Sequence, residues 1–208
     1  MRGMILAAGR GARMGDLTLT TPKPLLKVKN RYLIEYSLQA LIDAGIRDII
    51  INVSYLGEQI KQVLGNGQRY GVNIYYSEET QALETGGGIY QALSLLGKNP
   101  FIVLSSDVIT DYPLQNLPKE PQGLAHLVLV DNPDYHPQGD FYFNGKTFTF
   151  ANIGIYRPEL FIDCQPGCFR LGSLLHEAYA KHQVTMEHYS GFWHNLGTPQ
   201  QLSALLSS

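Results

Sequence analysis

In the first half of the chain, short apolar runs alternate with stretches of helical spacing. Gly3 to Ala8 is continuously apolar and stops at Gly9, the pattern of a strand covered on both faces. Tyr32 to Ala44 places apolar residues at 33, 34, 38, 41 and 42, which predicts a helix with Gly45 as its C-cap. Asp48 to Val53 reads as a second buried strand, Glu58 to Leu64 as a short helix closed by Gly65, and Asn73 to Tyr76 as a third strand. Thr85 to Leu96 opens on three glycines and continues with helical spacing, before Pro100 and the apolar strand Phe101 to Leu104. The second half begins with a strand at Leu124 to Val130 and then changes character. Phe141 to Phe143 and Thr147 to Phe150 flank Asn144-Gly145, a hairpin signal. Leu171 to His182 returns to helical spacing, Val184 to Tyr189 reads as a strand and Pro199 to Leu206 as a terminal helix.

Alternating strands and helices predict an α/β fold: a three-layer α/β/α, Rossmann-like mixed and mostly parallel sheet, with right-handed crossovers and a small β-hairpin insertion. No repeat, linker or low-complexity tract divides residues 1–208, so a single domain is expected. In such sheets the active site lies at the carboxyl ends of the strands. That directs attention to the stretch behind the first strand, LAAGRGARMGDLTLTTPKPLL. Its glycines let phosphate oxygens approach backbone donors, and Arg13 and Lys23 add positive charge. Two familiar glycine motifs fail on residue identity. A dinucleotide fingerprint needs a third glycine where Met14 stands, and a Walker loop needs a Gly-Lys-Ser/Thr ending that Gly9 to Met14 lacks.

Composition narrows the partners. Hydrophobic residues make up 44% and charged residues 16%, the balance of an ordinary globular protein. A net charge of -2 offers no broad basic surface, which argues against nucleic acid. No apolar run approaches the ~20 residues of a membrane span, so a cytoplasmic protein without a membrane partner is expected. Cys164 and Cys168 form a lone C-x3-C, poor grounds for zinc. His126 lies in a buried-looking strand and reads as a core histidine, and Tyr32, Tyr36, Tyr75, Tyr76 and Phe101 read as core.

What remains at the opening loop is L-A-A-G-x-G-x-R-M-x-x-L-T-x-x-x-P-K-P-L, which resembles the signature of the sugar-1-phosphate nucleotidyltransferases. The likeness continues in order through Leu83 to Gly88, Ser105-Ser106-Asp107, Gly123 to Pro133, Gly139-Asp140-Phe141, Asn152 to Tyr156 and Trp193 to Thr198. It implies transfer of a nucleoside monophosphate, UMP from UTP by the nearest pattern, onto a sugar 1-phosphate with release of pyrophosphate. By the same resemblance Arg13, Lys23 and Asp107 are the catalytic residues. Ala7, Ala8, Gly9, Gly11, Arg13, Lys23, Leu83, Glu84, Thr85 and Gly86 bind the nucleotide, and Asn132, Asp140 and Asn152 bind the sugar. The implied cofactor is Mg2+, held by Asp107 and by the residue at position 195.

Three departures from the pattern bear on function. The late segment usually reads Trp-x-Asp-x-Gly-Thr, but this chain has Asn195, which keeps a carbonyl oxygen and loses a charge. Gly15-Asp16 replaces the basic residue and proline that often precede Leu-Thr. The stretch between Asp140 and Asn152 is short. The residues alone leave open a cytidylyl or other nucleotidyl transfer to a different phosphorylated acceptor, and a catalytically weak nucleotide-sensing module.

Overall fold

A computed structural model describes residues 1–207. The chain runs through β1 (Arg2–Leu6), β2 (Lys27–Val28), β3 (Arg31–Tyr32), α1 (Leu33–Asp43), β4 (Asp48–Val53), α2 (Gly57–Leu64) and β5 (Asn73–Glu78). It continues with α3 (Glu84–Leu96), β6 (Phe101–Ser105), β7 (Val108–Thr110), β8 (Ala125–Val130), β9 (Phe141–Phe143) and β10 (Lys146–Tyr156). The last elements are α4 (Leu171–Ala180), β11 (Val184–His188), β12 (Trp193–Asn195) and α5 (Pro199–Ser207). The main sheet has the order β11-β8-β10-β6-β1-β4-β5. β1, β4, β5 and β6 are mutually parallel, as are β8 and β11, while β10 runs antiparallel to both β6 and β8. The mixed, mostly parallel sheet expected from the sequence is therefore present. One antiparallel strand sits at its centre.

Each face of the sheet has its own apolar layer. Ile5, Ile49, Ile51, Leu104 and Ile153 face α1 residues Ile34, Leu38 and Leu41. Met4, Ile50, Val103, Leu127 and Leu129 lie in the opposite layer with Ile89 and Ala92 of α3 and Leu175 of α4. Burial on both faces explains why these strands read as continuous apolar runs rather than alternating ones. The hairpin signal at Asn144-Gly145 is realised: both residues have positive φ, 48° and 92°, and they join β9 to β10.

Tyr75 departs from its expected place. It is 44% exposed, because β5 is an edge strand with a neighbour on one side only. Phe101 is fully buried, and Tyr32 and Tyr76 pack against the core from its margin. His126 bonds through Nδ1 to Thr185 Oγ1 at 2.8 Å, and the two cysteines are free thiols. Among the described residues no helix is long and apolar enough to cross a membrane.

Met14 shows why the opening loop is not a dinucleotide fingerprint. Its side chain is 1% exposed, and its amide closes a turn onto Gly11 O at 2.8 Å, so it plugs the loop into the core where a glycine would leave it loose. Met14→Ala should lower unfolding stability by about 2–5 kcal/mol, read as a shifted denaturant midpoint. An unchanged midpoint would show that this side chain does not anchor the loop.

Candidate active site

The strand ends β1, β4 and β6 meet at the carboxyl edge of the sheet, and two adjoining clefts open there. One, of about 520 Å3, is lined by Ala7, Ala8, Gly9, Gly11, Arg13 and Lys23 from the opening loop, with Leu83, Glu84, Thr85 and Asp107 opposite. The other, of about 390 Å3, is lined by Asp140, Asn152 and Asn195 among others. Leu6, Arg13, Thr85 and Ser105 border both. Arg13 thus stands at the junction.

The loop delivers its charges by local structure. Gly11 adopts φ 68°, and a Cβ there would lie 3.0 Å from Lys23 Cβ, so glycine lets the loop close over the lysine stem. Pro22 and Pro24 restrict the backbone around Lys23, whose turn is closed by Leu25 N to Pro22 O at 2.8 Å. Lys23 is consequently only 9% exposed, and its Nζ lies 2.5 Å from Asp107 Oδ2 at the end of β6. The amides of Gly9, Arg10 and Gly11 have no acceptor among the described residues, leaving a row of donors along the first cleft. Asp16 is exposed and lies away from that lining, so its charge faces solvent.

Beneath the first cleft runs a buried polar chain that the sequence did not reveal. Ala7 N donates to Asn52 Oδ1 at 2.9 Å, Asn52 Nδ2 donates to Glu79 Oε1 at 2.7 Å, and Leu83 N donates to Glu79 Oε2 at 3.3 Å. Asn52 and Glu79 also line the cleft. A polar residue at position 52 inside an apolar strand was the available signal; nothing local marks Glu79. Burial pushes the Glu79 carboxyl above its ordinary value, and the Asn52 amide and Leu83 N–H act against that shift.

The glycines at the start of α3 have a different job from the one expected. Gly86 does not line the cleft, and its amide and that of Gly87 donate to Phe169 O at 3.0 and 3.1 Å. A Cβ at Gly87 would fall 2.1 Å from Gly167 O, and one at Gly88 would fall 2.5 Å from Glu79 Oε1. These positions are glycine because backbone and a buried carboxylate pass against them. Leu83 and Glu84, by contrast, do face the cleft, Glu84 with φ 58°. Asn132 is also placed elsewhere: Nδ2 donates to Pro137 O and Thr147 O, and Oδ1 accepts from Thr149 Oγ1, so it staples the 131–140 loop to β10 outside either cleft lining. In the second cleft the sequence reading missed Tyr135, His136 and His176. Burial and Asp107 raise the Tyr135 hydroxyl above its usual range, with Arg13 opposing.

Asp107 and Asn195 are brought close by strand pairing. Asn195 lies opposite Val108 in the β7–β12 ladder, and Leu196 N donates to Asp107 O at 2.8 Å. Asn195 Oδ1 is buried without a hydrogen-bond partner among the described residues. An orphaned carbonyl oxygen on the strand whose next residue bonds to the Asp107 backbone gives, with the Asp107 carboxylate, oxygen donors of the kind a hard cation such as Mg2+ takes, commonly one or two from the protein. No group of three or more His, Cys, Asp or Glu side chains that could hold a metal occurs among the described residues.

A mostly parallel α/β sheet, with a glycine-rich loop and paired clefts at its carboxyl edge, defines a nucleotide-handling class of protein. The chain belongs to the nucleotidyl transferase family, whose model matches residues 2–141. It is 44% identical to the N-acetylmuramate alpha-1-phosphate uridylyltransferase of Neisseria meningitidis serogroup B, over 95% of this chain and 94% of that protein. Identity to the mannose-1-phosphate guanylyltransferase catalytic subunit beta of Drosophila melanogaster is 31%, over 96% of this chain and 60% of the relative. Among solved structures, a putative glucose-1-phosphate thymidylyltransferase from Bacillus anthracis, in complex with a sucrose, superposes with a TM-score of 0.88. Its 21% identity spans 100% of this chain and 94% of that one. The inositol-1-phosphate CTP transferase of T. maritima gives a TM-score of 0.79 at 16% identity, covering 99% of this chain and 94% of that one. These two likenesses establish the shared fold.

The Glu79 shift has a sign that can be measured. In the unfolded chain the carboxyl titrates at its ordinary value and in the fold higher, so the fold holds more proton between the two and loses stability as pH rises through that window. Glu79→Gln removes the titration. The stability of the variant relative to the parent should therefore rise as pH climbs above the ordinary carboxylate value, whatever its constant offset. A difference independent of pH would contradict the shift.

Proposed function

We propose that this chain transfers UMP from UTP to a sugar 1-phosphate, N-acetylmuramate 1-phosphate by the chemistry of its 44% identical relative, and releases pyrophosphate. The observation that carries the reading is the junction: Arg13 borders both a cleft lined by backbone donors, Lys23 and Asp107 and a second, polar and aromatic cleft. A triphosphate in the first and a phosphorylated acceptor in the second would meet there. An oxygen of the acceptor phosphate attacks the α-phosphorus, the new P–O bond forms, and the bond from the α-phosphorus to the bridging oxygen breaks as pyrophosphate takes its electrons. Both reactants are anions, so the protein's task is alignment and charge neutralisation rather than covalent catalysis.

Roles follow from position. The Gly9–Gly11 amides and Arg13 would hold the outer phosphates, arginine through paired N–H donors. Lys23 would leave Asp107 for the α-phosphate, carrying a point charge to the reacting centre. Glu79 would read the base: its carboxylate has lone pairs beyond those used by Asn52 and Leu83, and these can accept an N–H of uracil but only repel the unprotonated N3 of cytosine. Asn152 would contact the sugar. Mg2+ held by Asp107 and Asn195 would supply charge stabilisation to the phosphate oxygens. Muramate is a cell-wall sugar, which would place the reaction in cell-wall recycling in the cytoplasm, carried by residues 1–208 as one catalytic domain.

Pyrophosphate release measured with four triphosphates and a panel of phosphorylated acceptors tests the reading. UTP with N-acetylmuramate 1-phosphate should give the highest kcat/KM. Release with CTP and none with UTP would sink it, and nucleotide binding with no release for any pair would favour a sensor. Because Asn195 lacks the charge of an aspartate, Asn195→Asp should lower the magnesium concentration for half-maximal activity; equal values would remove Asn195 from the metal site.

A further inference from the structure

The central antiparallel strand β10 is broken in its pairing with β8. Phe150 pairs with Leu129 and Gly154 with Leu127, so Ala151, Asn152 and Ile153 together face Val128 alone. Asn152 has φ 57°, a left-handed conformation that a non-glycine residue adopts only when its surroundings hold it. Its side chain lines the smaller cleft, and its amide has no hydrogen-bond partner among the described residues. Bulges re-aim side chains, and this one turns an amide with no protein partner among the described residues toward the smaller cleft.

Two side chains grip the bulge. Trp193 Nε1 donates to Ala151 O at 3.0 Å, the carbonyl immediately before Asn152. Asp140 Oδ2 accepts the Phe150 N–H at 2.8 Å, just upstream, and Asp140 Oδ1 lies 3.0 Å from His136 Nε2. Both carboxylate oxygens are therefore engaged within the protein. Trp193 and Asn195 are alternate residues of β12 and both line the cleft. The strand that carries the proposed metal ligand thus also carries the brace.

We infer that Trp193 and Asp140 are positioning residues for the acceptor: they hold the Phe150–Gly154 bulge so that Asn152 presents its amide to the sugar phosphate. Asp140 acts through Phe150 rather than by touching the sugar. The inference rests on the proposed reaction and deepens it, because it says which residues set acceptor affinity and leave nucleotide affinity alone.

Steady-state kinetics with UTP and N-acetylmuramate 1-phosphate test it. Trp193→Phe keeps a ring and loses the N–H; it should raise KM for the acceptor about tenfold, with KM for UTP unchanged. In an Asn152→Ala background the same substitution should have little further effect, since the brace acts through the residue removed. Asp140→Ala should raise the acceptor KM similarly, while Asp140→Asn, whose amide oxygen still accepts from Phe150, should restore it. Trp193 is the single tryptophan, so its emission reports acceptor binding in the Asp140 variants without turnover, whatever the folding of Trp193→Phe. The brace is overturned if Trp193→Phe raises KM for UTP as much as for the acceptor, if its full effect persists without Asn152, or if Asp140→Asn binds the acceptor as weakly as Asp140→Ala. The reaction assignment fails separately, on the wild type, if UTP and this acceptor yield no pyrophosphate.

Discussion

The ion pair between Lys23 and Asp107 ties the opening loop to the sheet. Lys23 arrives through a proline-bounded turn, Asp107 lies two residues past the end of β6, and they meet at 2.5 Å with side chains 11% and 23% exposed. Exposed pairs contribute little, and fully buried ones struggle to offset desolvation; this one lies between. Its value is conditional on both partners. Removing either leaves a charge stranded in the first cleft, and the fold around Gly11 is shaped to bring the lysine there. A cation and an anion held together at a phosphate site are also two groups that a metal-bound triphosphate can separate, each finding a new partner.

Around that pair the sheet divides labour. The parallel strands β1, β4 and β5, with the start of α3, frame the cleft proposed for the nucleotide, cross-linked by the Ala7–Asn52–Glu79–Leu83 hydrogen bonds. The cleft proposed for the acceptor is lined from β10, the hairpin it forms with β9, and α4. β10 can supply an acceptor site because it is antiparallel and bulged: it brings side chains to the carboxyl edge of its neighbours from the opposite direction. A regular parallel strand would have continued the nucleotide side.

The elements most legible in the sequence were those decided locally. Apolar runs gave β4 and β6 closely, and Asn144-Gly145 placed the hairpin because its two residues must adopt positive φ. Only Thr147 to Phe150 of β10 was read as strand, since its bulge at Asn152 interrupts the alternation by which a long strand is recognised. At the site, the loop and Lys23 were legible from spacing, but Glu79 was not: its significance lies in contacts 27 residues away, with Asn52. Gly86 was expected to bind the nucleotide by resemblance, while the constraint on it and its two glycine neighbours comes from Phe169, Gly167 and Glu79 approaching from elsewhere in the chain. Asn132 likewise has the composition of a ligand residue and the contacts of a staple. Sequence spacing reports local geometry well and remote packing poorly.

In the proposed reaction one exchange is central: Asp107 would serve the protein's own lysine until a triphosphate drew that lysine away and freed the carboxylate for magnesium. Calorimetric titration of magnesium into nucleotide-free protein, wild type against Lys23→Met, tests it directly. If the lysine occupies the metal's carboxylate, the variant should bind magnesium about tenfold more tightly, on the order of 1–2 kcal/mol for a half-screened charge pair. Equal or weaker binding by the variant would contradict the exchange.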